Sequence, residues 1–336
     1  MKKALSCLLA VLIITSMLTA CSNEDKNKPG TEKLSIVAAT FPAYDWLRQI
    51  LGEKTDMVEL ELLLDNGVDL HSYQPSVADI AAISACDMFV HVGGESDAWL
   101  HDALRAASNE EMIIVNLMSV LDGQVKEEEI IEGMEHEHEH ENEHEHEHEH
   151  EQTDGHEREL DEHVWLSLKN VKIACAYISE ELGKLEAQNA EIYAANAGAY
   201  IEKLSALDAE YQNVVDSSAV KTLLFGDRFP FRYLVDDYRL EYYAAFPGCS
   251  AETEASFETI VFLANKIDEL GLENVMVLET SDQSIARTII DNTADKNQSI
   301  LTLDSMQSVT EKDMSSEVNY LSIMESNLEV LKKALG

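Results

Sequence analysis

Positive charge is what this chain most lacks. Its 336 residues carry 24 Lys and Arg against 64 Asp and Glu, for a formal net charge of -40. A field of that sign repels phosphate backbones and anionic headgroups, so charge-driven binding to nucleic acid or to an anionic lipid surface is excluded, while cations are drawn in. Of the 64 acidic residues, 18 fall between Glu127 and Glu162, and removing that stretch would still leave an acidic protein. Cysteine is scarce as well, with five in the whole chain. Beyond Cys7 and Cys21 only Cys86, Cys175 and Cys249 remain, an odd number with no Cys-x-x-Cys pair. A disulfide scaffold is therefore not indicated. Cys175, within the helical pattern Ile173-Ala174-Cys175-Ala176, reads as a small core residue. Cys249, in the turn-like Pro247-Gly248-Cys249-Ser250, reads as a buried inert thiol, with a ligand or reactive role as the alternative.

Catalytic signatures are missing too. The chain has no His-Glu-x-x-His helix, no Gly-x-Ser-x-Gly elbow and no general base paired with the candidate ligands named below, so it does not read as an enzyme. Nor is there a long membrane-spanning run. Lys2 and Lys3 precede an apolar stretch from Ala4 to Leu18, which has the charge-then-apolar order of a secretory signal and is too short for a confident span. It closes on Leu18-Thr19-Ala20-Cys21, which resembles a bacterial lipobox; the resemblance implies a signal peptide over residues 1–20 and a lipidated N-terminal Cys21, with a simple signal peptide cleaved near Ala20 as the alternative. Residues 21–33, polar and containing Pro29 and Gly30, then form a tether.

What the chain has in excess is histidine in one place. His136, His138, His140, His144, His146, His148 and His150 alternate mainly with Glu, and these seven account for most of the chain's 12 histidines. With no apolar neighbour to drive burial, residues of about 126–160 are expected to be a solvated, disordered loop. Its chemistry is that of an auxiliary metal collector: neutral imidazole suits borderline divalent metals, and the interleaved carboxylates concentrate cations.

Elsewhere strand-like apolar runs alternate with helical patterns. Strands are expected at 34–39, 57–64, 87–92 and 112–116, with helices at 44–51, 77–84 and 98–107 between them. After the loop come helices at 164–182 and 189–216. The second carries a stripe of Tyr193, Ala197, Tyr200, Leu204, Leu207, Tyr211 and Val214. A second series follows, with strands at 222–225, 241–246, 274–279 and 299–303 and helices near Phe229 and at 255–270, 283–292 and 316–335. The expected fold is α/β, made of two βα lobes with mainly parallel sheets: 34–185, a linking helix at 186–218, and 219–336. The site is expected in the crevice between lobes, at the carboxyl ends of the strands.

Three residues stand at such ends: His71 in Gly67-Val68-Asp69-Leu70-His71-Ser72-Tyr73-Gln74-Pro75, His163 in Asp161-Glu162-His163-Val164-Trp165-Leu166, and Asp304 after Ile300-Leu301-Thr302-Leu303. The first two segments, together with Tyr233-Leu234-Val235-Asp236-Asp237-Tyr238-Arg239-Leu240 and the Cys21 lipobox, resemble the cluster A-I zinc/manganese solute-binding proteins of ABC transporters, over nearly the whole mature chain. The resemblance implies a monomeric receptor, lipid-anchored on the extracytoplasmic face of a bacterial membrane, that hands one divalent metal to an ABC permease. It also implies His71, His163 and Asp304 as ligands. The His-rich loop is similar to that of the zinc branch, so Zn(II) is the expected metal, with Mn(II) or a surface adhesin or zinc-scavenging role as alternatives. One position departs from the family. Where a further His or Glu is usual the chain has Arg228, or Gly226 in a shifted alignment, and neither offers a lone pair. Either Asp227 substitutes, or a loop histidine or water completes the sphere, or affinity is lost; a further alternative is that Arg228 pairs with a carboxylate such as Asp304 and gates the site.

Overall fold

A computed structural model describes residues 33–105, 107–134, 159–249, 254–310 and 318–336. The expected signal peptide, Cys21 and the seven loop histidines lie outside the described residues.

The first four strands, β1 (Leu34–Ala38), β2 (Val58–Leu62), β3 (Met88–His91) and β4 (Ile113–Asn116), form one sheet in the order β2-β1-β3-β4, with every pairing parallel. The last four, β5 (Thr222–Phe229), β6 (Glu241–Pro247), β7 (Asn274–Leu278) and β8 (Ser299–Leu303), form a second all-parallel sheet in the order β6-β5-β7-β8. Parallel strands covered on both faces need continuous apolar runs, and β3 (Met-Phe-Val-His) is buried throughout while β7 is buried from Val275 to Leu278. The connecting helices are α1 (Phe41–Leu51), α2 (Val77–Ala85), α3 (Leu100–Arg105), α4 (Leu117–Val120), α5 (Leu168–Leu185), α6 (Ala190–Ser217), α7 (Arg232–Tyr238), α8 (Phe257–Leu270), α9 (Ser284–Asp291) and α10 (Tyr320–Leu335). Short polar side chains start several of them: Ser76 and Asp79 form a capping box on α2, Ser167 caps α5, Ser256 caps α8, and Asn319 caps α10.

The 28 residues of α6, roughly 42 Å at 1.5 Å per residue, run alongside helices from both halves of the chain, α1 and α5 on one hand and α7 and α10 on the other. Near its start Asn196 donates to the Ile50 carbonyl of α1 at 2.9 Å, and near its end the Tyr211 hydroxyl donates to the Met324 carbonyl of α10 at 2.6 Å. Its buried stripe is Tyr193, Ala197, Tyr200, Leu204, Leu207, Tyr211 and Val215, so it ends one residue beyond the expected Val214. One apolar core runs through the lobes, from Val37 and Phe89 past Tyr200 to Phe225 and Leu331. A smaller one, including Leu224, Phe246, Val275 and Ile289, underlies α8 and α9.

Two expectations are corrected. β5 continues through Phe229, with a register irregularity between Phe225 and Arg228, and the helix expected near Phe229 begins at Arg232. Gly226 sits just past the expected strand end at residue 225. Here it lets α9 press on the strand, since a Cβ would lie 2.7 Å from Ala286 Cα. The acidic loop is also shorter than 126–160. Glu127 bridges Leu160 in antiparallel fashion, Glu128 N–H donates to Glu159 O at 2.8 Å, and Asp161 N–H donates to Lys126 O at 2.9 Å. Its two ends therefore form a built foot.

Asp45 of α1 is 1% exposed, and its carboxylate accepts the Tyr320 N–H at 3.1 Å. Burial raises its pKa above the usual carboxylate range, only partly offset by hydrogen bonds from Tyr320 and Gln49 and by the Arg48 charge. A carboxyl raised on folding favours the native state at acid pH, and that contribution is lost as pH rises through the raised value. Asp45→Asn keeps an acceptor for Tyr320 and should therefore raise Tm at pH 7, with the advantage shrinking as pH falls toward the carboxylate range. Paired melts at pH 7 and 4 check this, and an equal gain at both would sink it.

Candidate metal centre

The loops at the carboxyl ends of the strands carry the polar residues. After β2 the chain enters a short turn, Leu70–Ser72, capped by Asp69, whose Oδ1 accepts the His71 N–H at 3.0 Å. This fixes the backbone at His71. The ring is then oriented through Nδ1, which lies 2.7 Å from Ser96 Oγ and 3.8 Å from Glu162 Oε2. The acidic oxygen favours the proton on Nδ1 and leaves a lone pair on Nε2. Burial, and then the neighbouring His163, push the His71 pKa down to about 4, so the ring is neutral at neutral pH.

His163 is held more firmly. It is fully buried, and Asp161 Oδ1 accepts both its backbone N–H and its Nδ1–H, each at 2.9 Å. Its Nε2 is thereby an acceptor as well. The two Nε2 atoms face each other 3.3 Å apart. Below them Glu162 is 3% exposed, with Oε1 accepting the Ser96 N–H at 2.9 Å and Oε2 buried without a hydrogen-bond partner. Burial raises its carboxyl, moderated by Ser96. Gly94, at φ +86, makes room for that carboxylate, since a Cβ would sit 2.3 Å from Oε1.

The third converging group comes from the far end of β6. One donor atom each of His71, His163 and Cys249 lies within 4.8 Å of the other two. Gly248 permits the approach, because its Cβ would stand 3.1 Å from His163 Cε1 and 2.9 Å from the Phe229 carbonyl. The loop foot holds the same turn, with Glu128 Oε1 accepting the Cys249 N–H at 3.0 Å. Burial first, then Glu128, Asp161 and Glu162, push the Cys249 thiol far above its ordinary range; a bound cation is the charge that reverses this. Gln307 completes the surroundings, its Nε2 lying 2.5 Å from His163 Nε2.

The remaining sequence candidates are placed otherwise. Asp304 is not among the three residues whose donors converge; its Oδ1 accepts the Met306 N–H at 2.8 Å and its main chain is tied to Asn327. Asp227 is engaged elsewhere: its two oxygens accept the Arg228 and Leu278 N–H groups. Arg228 Nη2 donates to Asp69 Oδ2 at 2.8 Å, so its ion pair runs to the loop that carries His71. Burial would raise the Asp69 carboxyl, but the charge and hydrogen bond of Arg228, together with the His71 N–H and ring, outweigh it and hold the group low.

A family profile described as "Zinc-uptake complex component A periplasmic" (ZnuA) matches residues 36–334. The chain belongs to the ZnuA family. The zinc-binding lipoprotein AdcA of Streptococcus pneumoniae serotype 4 is 30% identical over 335 residues, covering 98% of this chain and 61% of AdcA, so the chain spans about three fifths of that relative. The high-affinity zinc uptake system protein ZnuA of Bacillus subtilis is 27% identical, covering 95% of this chain and 94% of its own. Among solved structures, the Zn(II)-bound ZnuA-like domain of Streptococcus pneumoniae AdcA superposes with a TM-score of 0.67 at 25% identity, covering 90% of this chain and 99% of that one. The two-lobe α/β architecture is thus that of ZnuA structures. Within this ZnuA-family chain, Gln307 is a cleft residue missing from the sequence candidates, and Cys249, read there as an inert thiol with a ligand role as the alternative, is drawn to the cleft. The only signal for Cys249 was its position after a strand in a Pro-Gly turn, and Gln307 gave none.

Proposed function

We propose that this protein is an extracytoplasmic zinc receptor, anchored through a lipidated Cys21, that carries one Zn(II) between its lobes as cargo and passes it to an ABC permease without catalysing a reaction. His71 and His163 are assigned as ligands. The observation that carries the reading is the 3.3 Å separation of their Nε2 atoms, with Nδ1 of each ring held by a separate partner. Two nitrogens bound at ~2.0–2.1 Å and a tetrahedral angle stand about 3.3–3.4 Å apart, so the pair already spans one edge of a zinc polyhedron. Nitrogen donors suit zinc better than manganese, which prefers oxygen. The names of AdcA and of the Bacillus subtilis ZnuA support the same cargo. The histidines between His136 and His150 serve as weak, multivalent collectors beside the tight site.

Zinc and manganese titration of the full chain, beside a variant lacking 135–156, tests the reading. One tight zinc site should survive the deletion while the weak sites disappear, with manganese failing to compete. Absence of any tight site from the shortened chain would instead make the protein a loop-based scavenger.

A further inference from the structure

We infer that Cys249 supplies a thiolate donor to this cleft, replacing the nitrogen or oxygen donor that Arg228 cannot provide and turning the site into a His-His-Cys site for thiophilic divalent ions. The inference rests on the proposed zinc-receptor reading and specifies the third ligand of that site.

Three independent observations place it. The sulfur reaches both imidazole nitrogens within 4.8 Å, although it arrives from the second sheet while they come from the first. Its approach is sterically arranged, for Gly248 lies against the His163 ring where a side chain would collide. The turn is then pinned from the opposite side by Glu128, whose carboxylate accepts the Cys249 N–H. The other described cysteines contrast with this. Cys86 donates to the Ile83 carbonyl and to the Met112 sulfur, and Cys175 is enclosed in the apolar core, so neither joins a converging group of three His, Cys, Asp or Glu donors within the described residues.

Coordination would transfer the thiol proton to solvent and form a metal–sulfur bond, with no change of oxidation state. Replacing a nitrogen or oxygen donor by sulfur shifts preference toward zinc and cadmium and away from manganese. The site gains selectivity from the very position at which the ordinary ligand is missing.

The test uses the full chain with cadmium(II) and cobalt(II) as spectroscopic probes. One equivalent of either should produce a thiolate-to-metal charge-transfer band that Cys249→Ser abolishes. The same substitution should weaken tight zinc binding at least about 100-fold, beyond the range expected for loss of an outer-shell partner. X-ray absorption at the zinc edge of the unmutated protein should show one sulfur near ~2.3 Å, which keeps the inference testable if the variant folds poorly. A nitrogen-and-oxygen-only shell, together with undiminished affinity in Cys249→Ser while His71→Ala loses zinc, would overturn the thiolate assignment and leave the receptor reading in place. If His71→Ala is also without effect, the cleft assignment itself falls.

Discussion

His71→Ala should abolish tight zinc binding while leaving the fold intact. Zinc held by about four protein ligands is worth roughly 10–16 kcal/mol, so one ligand carries about 3–4 kcal/mol, or on the order of 10²–10³-fold in affinity. The fold should tolerate the change, because the His71 side chain is 14% exposed and its loop is capped by Asp69 through the backbone, which alanine retains. Calorimetry and a melt in chelator separate the two quantities. Affinity within threefold of the parent would remove His71 from the ligand set. His163→Ala should lose zinc to a similar degree but also lose stability, since it leaves a buried Asp161 carboxylate without its Nδ1–H partner.

The largest effect on stability is expected at Trp165. It is 1% exposed, donates Nε1–H to the Ser305 carbonyl at 2.9 Å, and accepts the Tyr320 hydroxyl on its own carbonyl at 2.7 Å. Its ring meets the His163 ring edge-on at 5.4 Å. Trp165 thus joins the segment carrying His163 to the segment after β8. Trp165→Ala should cost about 3–5 kcal/mol in lost burial and cavity formation. For a chain of this size each kcal/mol is worth ~2–4 °C, so Tm should fall by roughly 10 °C. Zinc affinity should fall with it, because His163 loses the surface that fixes its ring. A drop below about 2 °C would mean that the two segments are held together elsewhere.

Much of the fold was legible because its elements are long and periodic. The α6 stripe fixes a helix by its four- and three-residue steps, and the buried runs of β3 and β7 are those of parallel strands. The misplaced boundary at β5 had a local cause: the apolar run stops at Phe225, before Gly226-Asp227-Arg228, and only the packing of Ala286 explains why glycine sits in a strand there. His71 and His163 were legible as candidates through their polar loops beside element ends and through the family resemblance, though Asp304, placed alike, is not among the converging donors. Cys249 was not, since its meaning depends on the carboxyl end of β6 meeting His163 across the cleft, a relation no local pattern encodes. The partner of Arg228 was equally hidden, for Asp69 is distant in sequence and looks like a helix cap when read alone.

The Arg228–Asp69 pair bears on how the site is held. Arg228 acts against protonation of His71, but its partner Asp69 acts the other way and more strongly, so the pair adds no net positive field at that ring. What it adds is a tie: a guanidinium on β5 that pH cannot discharge holds the loop that carries His71. The position that lacks a donor for the metal thus fastens one of the residues that has one.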